Sequence, residues 1–492
     1  MKVALIRTAI APDEERHLAY GSNVSPMATP VALLGACLRE KSPRTEASIL
    51  NENSTPYEIA EQAAKFDLVG FSTTYASHGL SCEIARRIKQ LNSEAKIIFG
   101  GIDAANKGPL ILENHPCVDY VCGNQNFPWG ENTAIALVNG TAVEEIPNLW
   151  YRERGKAVFT NCDIPNLKES PLWDFGQFEE RNERIRPYLK PVGDWDLPHH
   201  SVFSWRGCLK ALRSGRCTFC TSAVGSPNFM PPENFWRQIL HLQEKEFPGI
   251  EMNLYLGDNH IPPGWAKKLA ACNPGNTKAR FRAYGWLPEI ARLSPEQLNR
   301  FAKDLRDMNL YNLFYGVESF DPMILEKANK DYIPVEEMVR VITSLFNEGG
   351  IRATIAIIIG LAGENEESLE ENVSSFGKLL NLVPKGSTER VYLSHLVVLH
   401  GSAILDNMKN NPALCADYEM ITGKVLANDD NPPVDILTAL HLRHFTEVTP
   451  AIANTYHDRI LNMSLEAGIP RQQIGGFEDR HIQEIDSIFE KL

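Results

Sequence analysis

Apolar residues follow two alternating patterns through the first third of the chain. Short, almost unbroken apolar runs (VALIR at 3–7, DLVGFSTT at 67–74, AKIIFGG at 95–101, CVDYVCG at 117–123) predict buried strands. Between them, PVALLGACLRE (30–40), YEIAEQAAKF (57–66) and CEIARRIKQLN (82–92) space their apolar residues as a helix with one buried face does. Strands buried on both faces and separated by helices predict a parallel sheet covered on both sides. Residues 1–155 therefore read as a doubly wound, Rossmann-like α/β domain. Its ligand crevice is expected beyond the carboxyl ends of the strands, where Ser72, Thr73, Thr74, Gly100, Gly101 and Gly123 fall. Small residues there let a ligand approach the backbone, and they suit ordinary strand-to-helix turns equally well.

The pattern then breaks. IPNLWYRERGKAVFTN reads as a hairpin turning at Arg154-Gly155, and the Pro- and charge-rich stretch 156–200 reads as a connector. From 201 to 405 the alternation resumes. The strand runs VFSW, MNLYLGD, ARFRAYG, LYNLFYGVES, IRATIAIIIGLAG and ERVYLSHLVVL alternate with helical stretches such as SPEQLNRFAKDLRDM and PVEEMVRVITSLFNEGG. That regularity predicts a partial or complete (β/α) barrel, with its site at the carboxyl ends of the strands. Residues 406–492 read as a helical C-terminal extension.

Composition narrows the class. A chain of 492 residues has room for two to four domains, and 43% hydrophobic with 23% charged residues is ordinary for a globular protein. A formal net charge of −13 predicts no nucleic-acid partner. No apolar run approaches the ~20 residues of a membrane span, and the start MKVALIRTAI lacks the apolar core of a signal peptide. No membrane association and a cytoplasmic location are expected. Ten cysteines are present, and only those at 208–220 are tightly spaced. In a reducing compartment that grouping suggests metal binding or catalysis.

Cys208, Cys217 and Cys220 form a C-x8-C-x2-C loop just after VFSW, with Phe219 before the last cysteine. Three thiolates suit an iron–sulfur cluster that keeps one iron free for a ligand. Two other readings are zinc completed by His199 or His200, and three incidental cysteines. The other strand ends favour a built site. Gly257-Asp258-Asn259, Arg282 with Tyr284, Glu318-Ser319, GLAGE at 360–364 and His400-Gly401 all fall at the same mouth. Packing a barrel requires no such polar ends, whereas a polar small molecule beside a cluster would use them.

The ordered set VGFSTT, IKQLNSEAKIIFGG, VDYVCG, IPNLWYR, RGC…RCTFC, FYGVES, GGI and GLAGE…ESLEE resembles radical S-adenosylmethionine (SAM) enzymes with an N-terminal cobalamin-binding-type domain. The resemblance covers roughly residues 1–405. It implies a partial barrel of the radical SAM type and a 4Fe–4S cluster on Cys208, Cys217 and Cys220, with SAM on the fourth iron. Phe219 would lie near the adenine, Gly257, Asp258 and Asn259 near the SAM amino group, and Glu318 and Ser319 near the ribose or methionine. Leu399 and His400 would flank the adenine, while Gly360, Leu361 and Gly363 shape the same pocket, to which Arg282 is also assigned. Ser72, Thr73, Gly100, Gly101 and Gly123 would face cobalamin. An external donor such as flavodoxin or ferredoxin would reduce the cluster, and a 5′-deoxyadenosyl radical would act on a small-molecule substrate.

Three departures from that family pattern stand out. The usual loop is C-x3-C-x2-C, but here LKALRSGR puts eight residues between Cys208 and Cys217. Its Lys210, Arg213 and Arg216 read either as support for thiolates or as a solvated basic loop. The family's D-x-H-x-x-G appears only as Asp13, His17 and Gly21 in the wrong register, so His17 reads as a surface histidine. Its acidic G-E-G-E segment is Gly123-Asn124-Gln125-Asn126. The expected activity is cobalamin-dependent methyl transfer. The alternatives are another radical SAM reaction (rearrangement, oxidation or 3-amino-3-carboxypropyl transfer) and a non-catalytic metal-binding scaffold.

Overall fold

The computed structural model describes residues 1–8, 29–50, 55–174, 199–222, 225, 227–249, 251–257, 259–471, 474–475 and 479–490. Asp258, the Asp13–His17–Gly21 set and most of the connector lie outside these residues, as do the side chains of His199 and His200. Two seven-stranded sheets carry the fold.

The first sheet contains β1 (Lys2–Arg7), β2 (Glu46–Ile49), β3 (Leu68–Ser72), β4 (Lys96–Gly100), β5 (Tyr120–Cys122), β6 (Leu149–Glu153) and β7 (Lys156–Phe159). Their order is β2-β1-β3-β4-β5-β6-β7, with β1 to β5 parallel. The chain leaves β1 toward β2 and returns to β3 on its other side. That switch opens a crevice beyond their carboxyl ends. β2, with only EASI to mark it, carries no apolar run and was not expected. The hairpin forms as read, and it extends the sheet antiparallel from β5. Its two turn residues, Arg154 (φ 51°) and Gly155 (φ 79°), have the positive φ pair that matches the twist of two-residue hairpins.

The second sheet is entirely parallel and runs β8-β11-β12-β13-β14-β15-β16. Here β8 is His199–Val202, β9 is Trp205–Arg206, β10 is Asn228–Phe229 and β11 is Asn253–Leu256. β12 is Arg280–Gly285, β13 is Leu310–Glu318, β14 is Arg352–Ile359, β15 is Thr388–His395 and β16 is Ile474–Gly475. Its ends, β8 and β16, remain edges, so the barrel is partial. The sheet nevertheless curls strongly. Phe314 on β13 and Tyr392 on β15 have ring centroids 5.4 Å apart across the intervening β14. VFSW is not one strand: β8 ends at Val202, and Trp205-Arg206 pairs antiparallel with Asn228-Phe229.

The C-terminal residues are helical over Ala403–Lys409, Pro412–Thr422, Val434–Phe445, Pro450–Glu466 and Asp479–Phe489. One correction applies: Ile474-Gly475 adds a strand to β15. Among the described residues no helix is long and apolar enough to cross a membrane.

Arg152, on β6, ties the hairpin to the helix Gly108–Asn114 and the turn that follows it. Its guanidinium donates to the carbonyls of Leu112, His115 and Val118 at 2.5 to 3.0 Å. Arg152→Ala removes the donors for three backbone acceptors at once. It is expected to lower stability by about 2 kcal/mol, read as a lower urea midpoint at unchanged slope.

Candidate functional site

A cavity of about 640 Å³ opens at the carboxyl ends of the barrel strands. Its wall holds Cys208, Cys217 and Cys220 with Phe219 between them, and Tyr284, Phe314 and Tyr392 also line it. These aromatic rings form a connected row, with Tyr284 5.0 Å from Phe314 and Tyr255 5.2 Å from Tyr284. Burial pushes the Cys208 and Cys217 thiols up, although Lys330 and Lys210 pull Cys217 the other way. Desolvated thiols of this kind become good ligands when a cation offsets the charge. Among the described residues, the three sulfurs do not converge to the spacing of a single-ion site.

The insert between Cys208 and Cys217 is ordered. Cys208 caps a short helix, Leu209–Ser214, and Gly215 (φ 80°) ends it. Lys210 is buried, and its ammonium donates to the carbonyls of Gly215 (2.8 Å) and Asn329. Asn329 returns the contact by donating to Ser214 O (3.0 Å) and Arg216 O (2.8 Å). Arg216 donates to Gly401 O at 2.6 Å. Only Arg213 behaves as a surface cation, lying over Trp286 and 3.5 Å from Glu289. The solvated-loop reading therefore holds for Arg213 and fails for Lys210 and Arg216, whose charges neutralise backbone dipoles.

Opposite the cysteines, β13 ends at Glu318, which has a φ of 66° and is buried. Its carboxylate pairs with Lys330 at 2.7 Å, and the Lys330 ammonium sits 5.7 Å from the centre of the Phe219 ring. Burial works against the Lys330 proton, but Glu318 first and then the cysteines outweigh it and hold the ammonium above its ordinary value. Gly316 leaves room for the pair where it stands, since a Cβ there would lie 2.9 Å from the Lys330 nitrogen and both side chains would have to shift. Lys330 had no signal in the sequence beyond its place after a helix; Tyr75, contributed by the other domain, was missed for the same reason.

The remaining expected residues divide. Asn259 and Leu399 line the cavity with Phe219 and Glu318. Ser319 does not. It is fully buried, bonded to Asn372 at 2.9 Å, and braces the turn that follows β13. Arg282 lies two residues before Tyr284 on β12, inside the barrel and away from the mouth. His400 is held neutral by burial and by Lys107 and Lys409, with its pKa pushed down to about 3. Gly360, Leu361 and Gly363 are absent from the wall and face the C-terminal extension instead. Gly363 N donates to Phe445 O at 2.7 Å, and a Cβ on Gly360 would lie 2.9 Å from Leu442.

A second cavity, about 570 Å³, occupies the switch-point crevice of the first sheet. Ser72, Thr73, Gly100 and Gly101 line it, as does Gly257 from the barrel. Gly101 (φ 94°) lets its turn pack directly on the Thr73 backbone, since a Cβ there would meet Thr73 O at 2.5 Å. Gly123 lies outside the wall, packed against Phe127 and Pro128. Across the crevice, Arg206 pairs with Glu131 at 2.6 Å. Ser222 and Asn259 border both cavities, so the two spaces adjoin. Gln125, in the segment that replaces the acidic one, donates to Gly401 O at 2.5 Å and joins the two domains.

No protein-family model matches the chain. An uncharacterized methyltransferase of Pyrococcus horikoshii is 24% identical over 406 residues, 78% of this chain and 79% of the relative. The radical S-adenosylmethionine methyltransferase TsrM from Kitasatospora setae, with tryptophan substrate and a SAM analogue bound, matches 100% of this chain and 99% of its own. The TM-score is 0.64 at 15% identity. OxsB, a cobalamin-dependent S-adenosylmethionine radical enzyme with aqua-cobalamin bound, matches 95% of this chain and 62% of its own, at TM-score 0.64 and 15% identity. The shared property is the fold: this chain has the architecture seen in TsrM and OxsB.

Two outcomes follow from the charges. Lys330→Met leaves the buried Glu318 carboxylate unpaired and is expected to cost about 3 kcal/mol; adding Glu318→Gln recovers most of it in a double-mutant cycle. Glu364, which accepts from Gly360 N at 2.6 Å, has its carboxyl pushed up to about 8 by burial. The folded chain thus keeps a proton that the unfolded chain loses above its ordinary value of 4.5. Stability therefore falls between these two values as pH rises, by up to about 1.4 kcal/mol per unit. Glu364→Gln is expected to flatten that slope in thermal melts across the same range.

Proposed function

We propose that this chain is a radical SAM enzyme that cleaves S-adenosylmethionine reductively at a 4Fe–4S cluster and methylates a small molecule by way of cobalamin. The observation that carries this reading is the adjoining pair of cavities that meet at Ser222 and Asn259. One is walled by three cysteines, and the other sits at the switch point of a doubly wound sheet. The TsrM and OxsB likenesses support it, as both proteins are described with cobalamin bound. When bound, the cluster supplies an electron that breaks a carbon–sulfur bond of SAM, and cobalamin supplies a methyl carrier.

The chain's own residues bind, orient and exclude water. Cys208, Cys217 and Cys220 hold the cluster. Ala211 N lies 3.4 Å from Cys208 Sγ and Ser222 N 3.3 Å from Cys220 Sγ, and such hydrogen bonds tune the cluster's potential. Phe219 offers a flat apolar face to the adenine, with Lys330 fixed on that ring by Glu318. Asn259 is held by its hydrogen bond to Gly207 O and presents the edge shared by both cavities. The row of Tyr284, Phe314 and Tyr392 floors the site and keeps water from the reacting centre. Thr73, Gly100 and Gly101 leave backbone exposed for close approach of a large planar cofactor. An external one-electron donor such as flavodoxin or ferredoxin would approach the cysteine face.

Anaerobic reconstitution with iron and sulfide is expected to give one cluster per chain and reductive SAM cleavage. Cys217→Ala is expected to abolish both, and survival of either would sink the assignment. Cobalamin retained on purification, with S-adenosylhomocysteine formed beside 5′-deoxyadenosine, is the result expected for methyl transfer. Absence of both removes the methyl reading. Methylthioadenosine in their place marks 3-amino-3-carboxypropyl transfer.

A further inference from the structure

Three residues beyond Tyr75, away from the cysteine loop in sequence, a second group of metal-ligating side chains converges. The helix His78–Leu91 presents His78 and Cys82 one turn apart on one face. His115 arrives from the segment that ends the helix Gly108–Asn114, and Asp430 arrives from the C-terminal extension. The ligand atoms of His78, Cys82 and His115 all lie within 4.8 Å of one another. Cys82 Sγ is 3.6 Å from His78 Nε2, and Asp430 Oδ2 is 2.7 Å from Nε2 of both histidines. His78 is 1% exposed, Cys82 4% and Asp430 6%, so this is interior chemistry.

We propose that His78, Cys82 and His115 bind a zinc ion, with Asp430 closing the site from the C-terminal extension. One thiolate, two imidazoles and a carboxylate are a tetrahedral zinc donor set. Bonds of about 2.0 to 2.3 Å to one ion would place the donor atoms roughly 3.3 to 3.8 Å apart. The 3.6 Å sulfur–nitrogen separation already has that value, the other pairs among the three side chains lie within 4.8 Å, and the Asp430 oxygen, 2.7 Å from each imidazole nitrogen, would move back by about 0.6 Å to admit the ion. The surroundings are those of a built site. His78 Nδ1 faces Asp103 Oδ2 at 3.4 Å, the outer carboxylate that orients a zinc-bound imidazole. Lys107 lies 3.0 Å from Asp103 and donates to Asp430 O at 2.7 Å. Asn114 Nδ2 donates to the other carboxylate oxygen of Asp430 at 3.1 Å. With the ion present, the thiolate, the two carboxylates and Lys107 balance its charge in a largely buried place, to which solvent comes nearest at the His115 side chain, 21% exposed.

The ion would act as a structural bolt. It would join the first domain to the extension, and it would anchor the short segment running from Thr73 and Thr74 at one cavity through Tyr75 at the other. The inference does not depend on the reaction assigned to those cavities.

The test is elemental analysis and zinc-edge X-ray absorption on the full-length chain, purified anaerobically with its cluster rebuilt. About one zinc per chain is expected, with one sulfur and otherwise nitrogen or oxygen in its first shell. Cys82→Ala and His115→Ala are each expected to lower bound zinc at least about tenfold while leaving cluster iron unchanged. A zinc-free chain overturns the proposal and makes the group a hydrogen-bonded network of imidazolium and carboxylate. Zinc with a sulfur-rich shell, retained in both variants, overturns it too, because that metal sits on the cysteine loop. Should the variants fail to fold, the wild-type absorption edge decides alone.

Discussion

A thiolate at the end of an eight-residue insert must return to two others, and hydrogen bonds to backbone carbonyls are what bring it back. Closing a loop of this length costs little more than closing a shorter one. Holding it in one geometry is the harder requirement. Lys210 and Arg216 meet it by donating to carbonyls of Gly215, Asn329 and Gly401. Asn329 answers by donating back to Ser214 and Arg216. Lys210 also brings positive charge beside Cys208 and Cys217, opposing in part the burial that pushes their thiols up. The insert is therefore a stay for the site, built from charges that a sequence reading takes for surface.

From this fixed loop the rest of the mouth follows. Gly316 leaves room for Glu318 and Lys330 to pair where they stand, and Lys330 then reaches the Phe219 ring. The loop also fixes Gly207 and Ser222, which border the crevice of the first sheet. Two open sheets, each with its ligand side at the carboxyl ends of parallel strands, thus face each other with Asn259 and Ser222 at the shared edge. Hydrogen bonds that cross between domains, Gln125 to Gly401 among them, hold that relation.

The strands and helices could be read because their signals are local. Near-continuous apolar runs mark β1, β3, β4 and β11 to β15, and three-and-four spacing marks the helices between them. EASI and Ile474-Gly475 escaped because each is too short to show a period and owes its pairing to a neighbouring strand. The cysteines, Phe219, Glu318 and Asn259 were legible because each sits at a strand end or in a spaced motif. Lys330 and Tyr75 were not, since what makes them part of the site is distance in space with no pattern in sequence. Arg282 shows the converse error. Position near a strand end suggested the mouth, but the two-residue period of the strand puts it a layer deeper.

The glycine segment at 360–364 shows why a motif and its environment need separate arguments. Its likeness to a ligand-shaping loop rests on small residues, and small residues are also what a closely packed helix demands. Gly360 and Gly363 have φ of 95° and 82°, and any Cβ there would strike Leu442 or Lys327. Gly360 thus makes room for the helix Val434–Phe445 and Gly363 for the Lys327 side chain, with the Glu364 carboxyl pushed up by the same burial. A segment that reads as part of the pocket instead fastens the extension to the barrel. The extension bears Asp430 as well, so one stretch of chain presses on the barrel through Leu442 and on the first domain through Asp430.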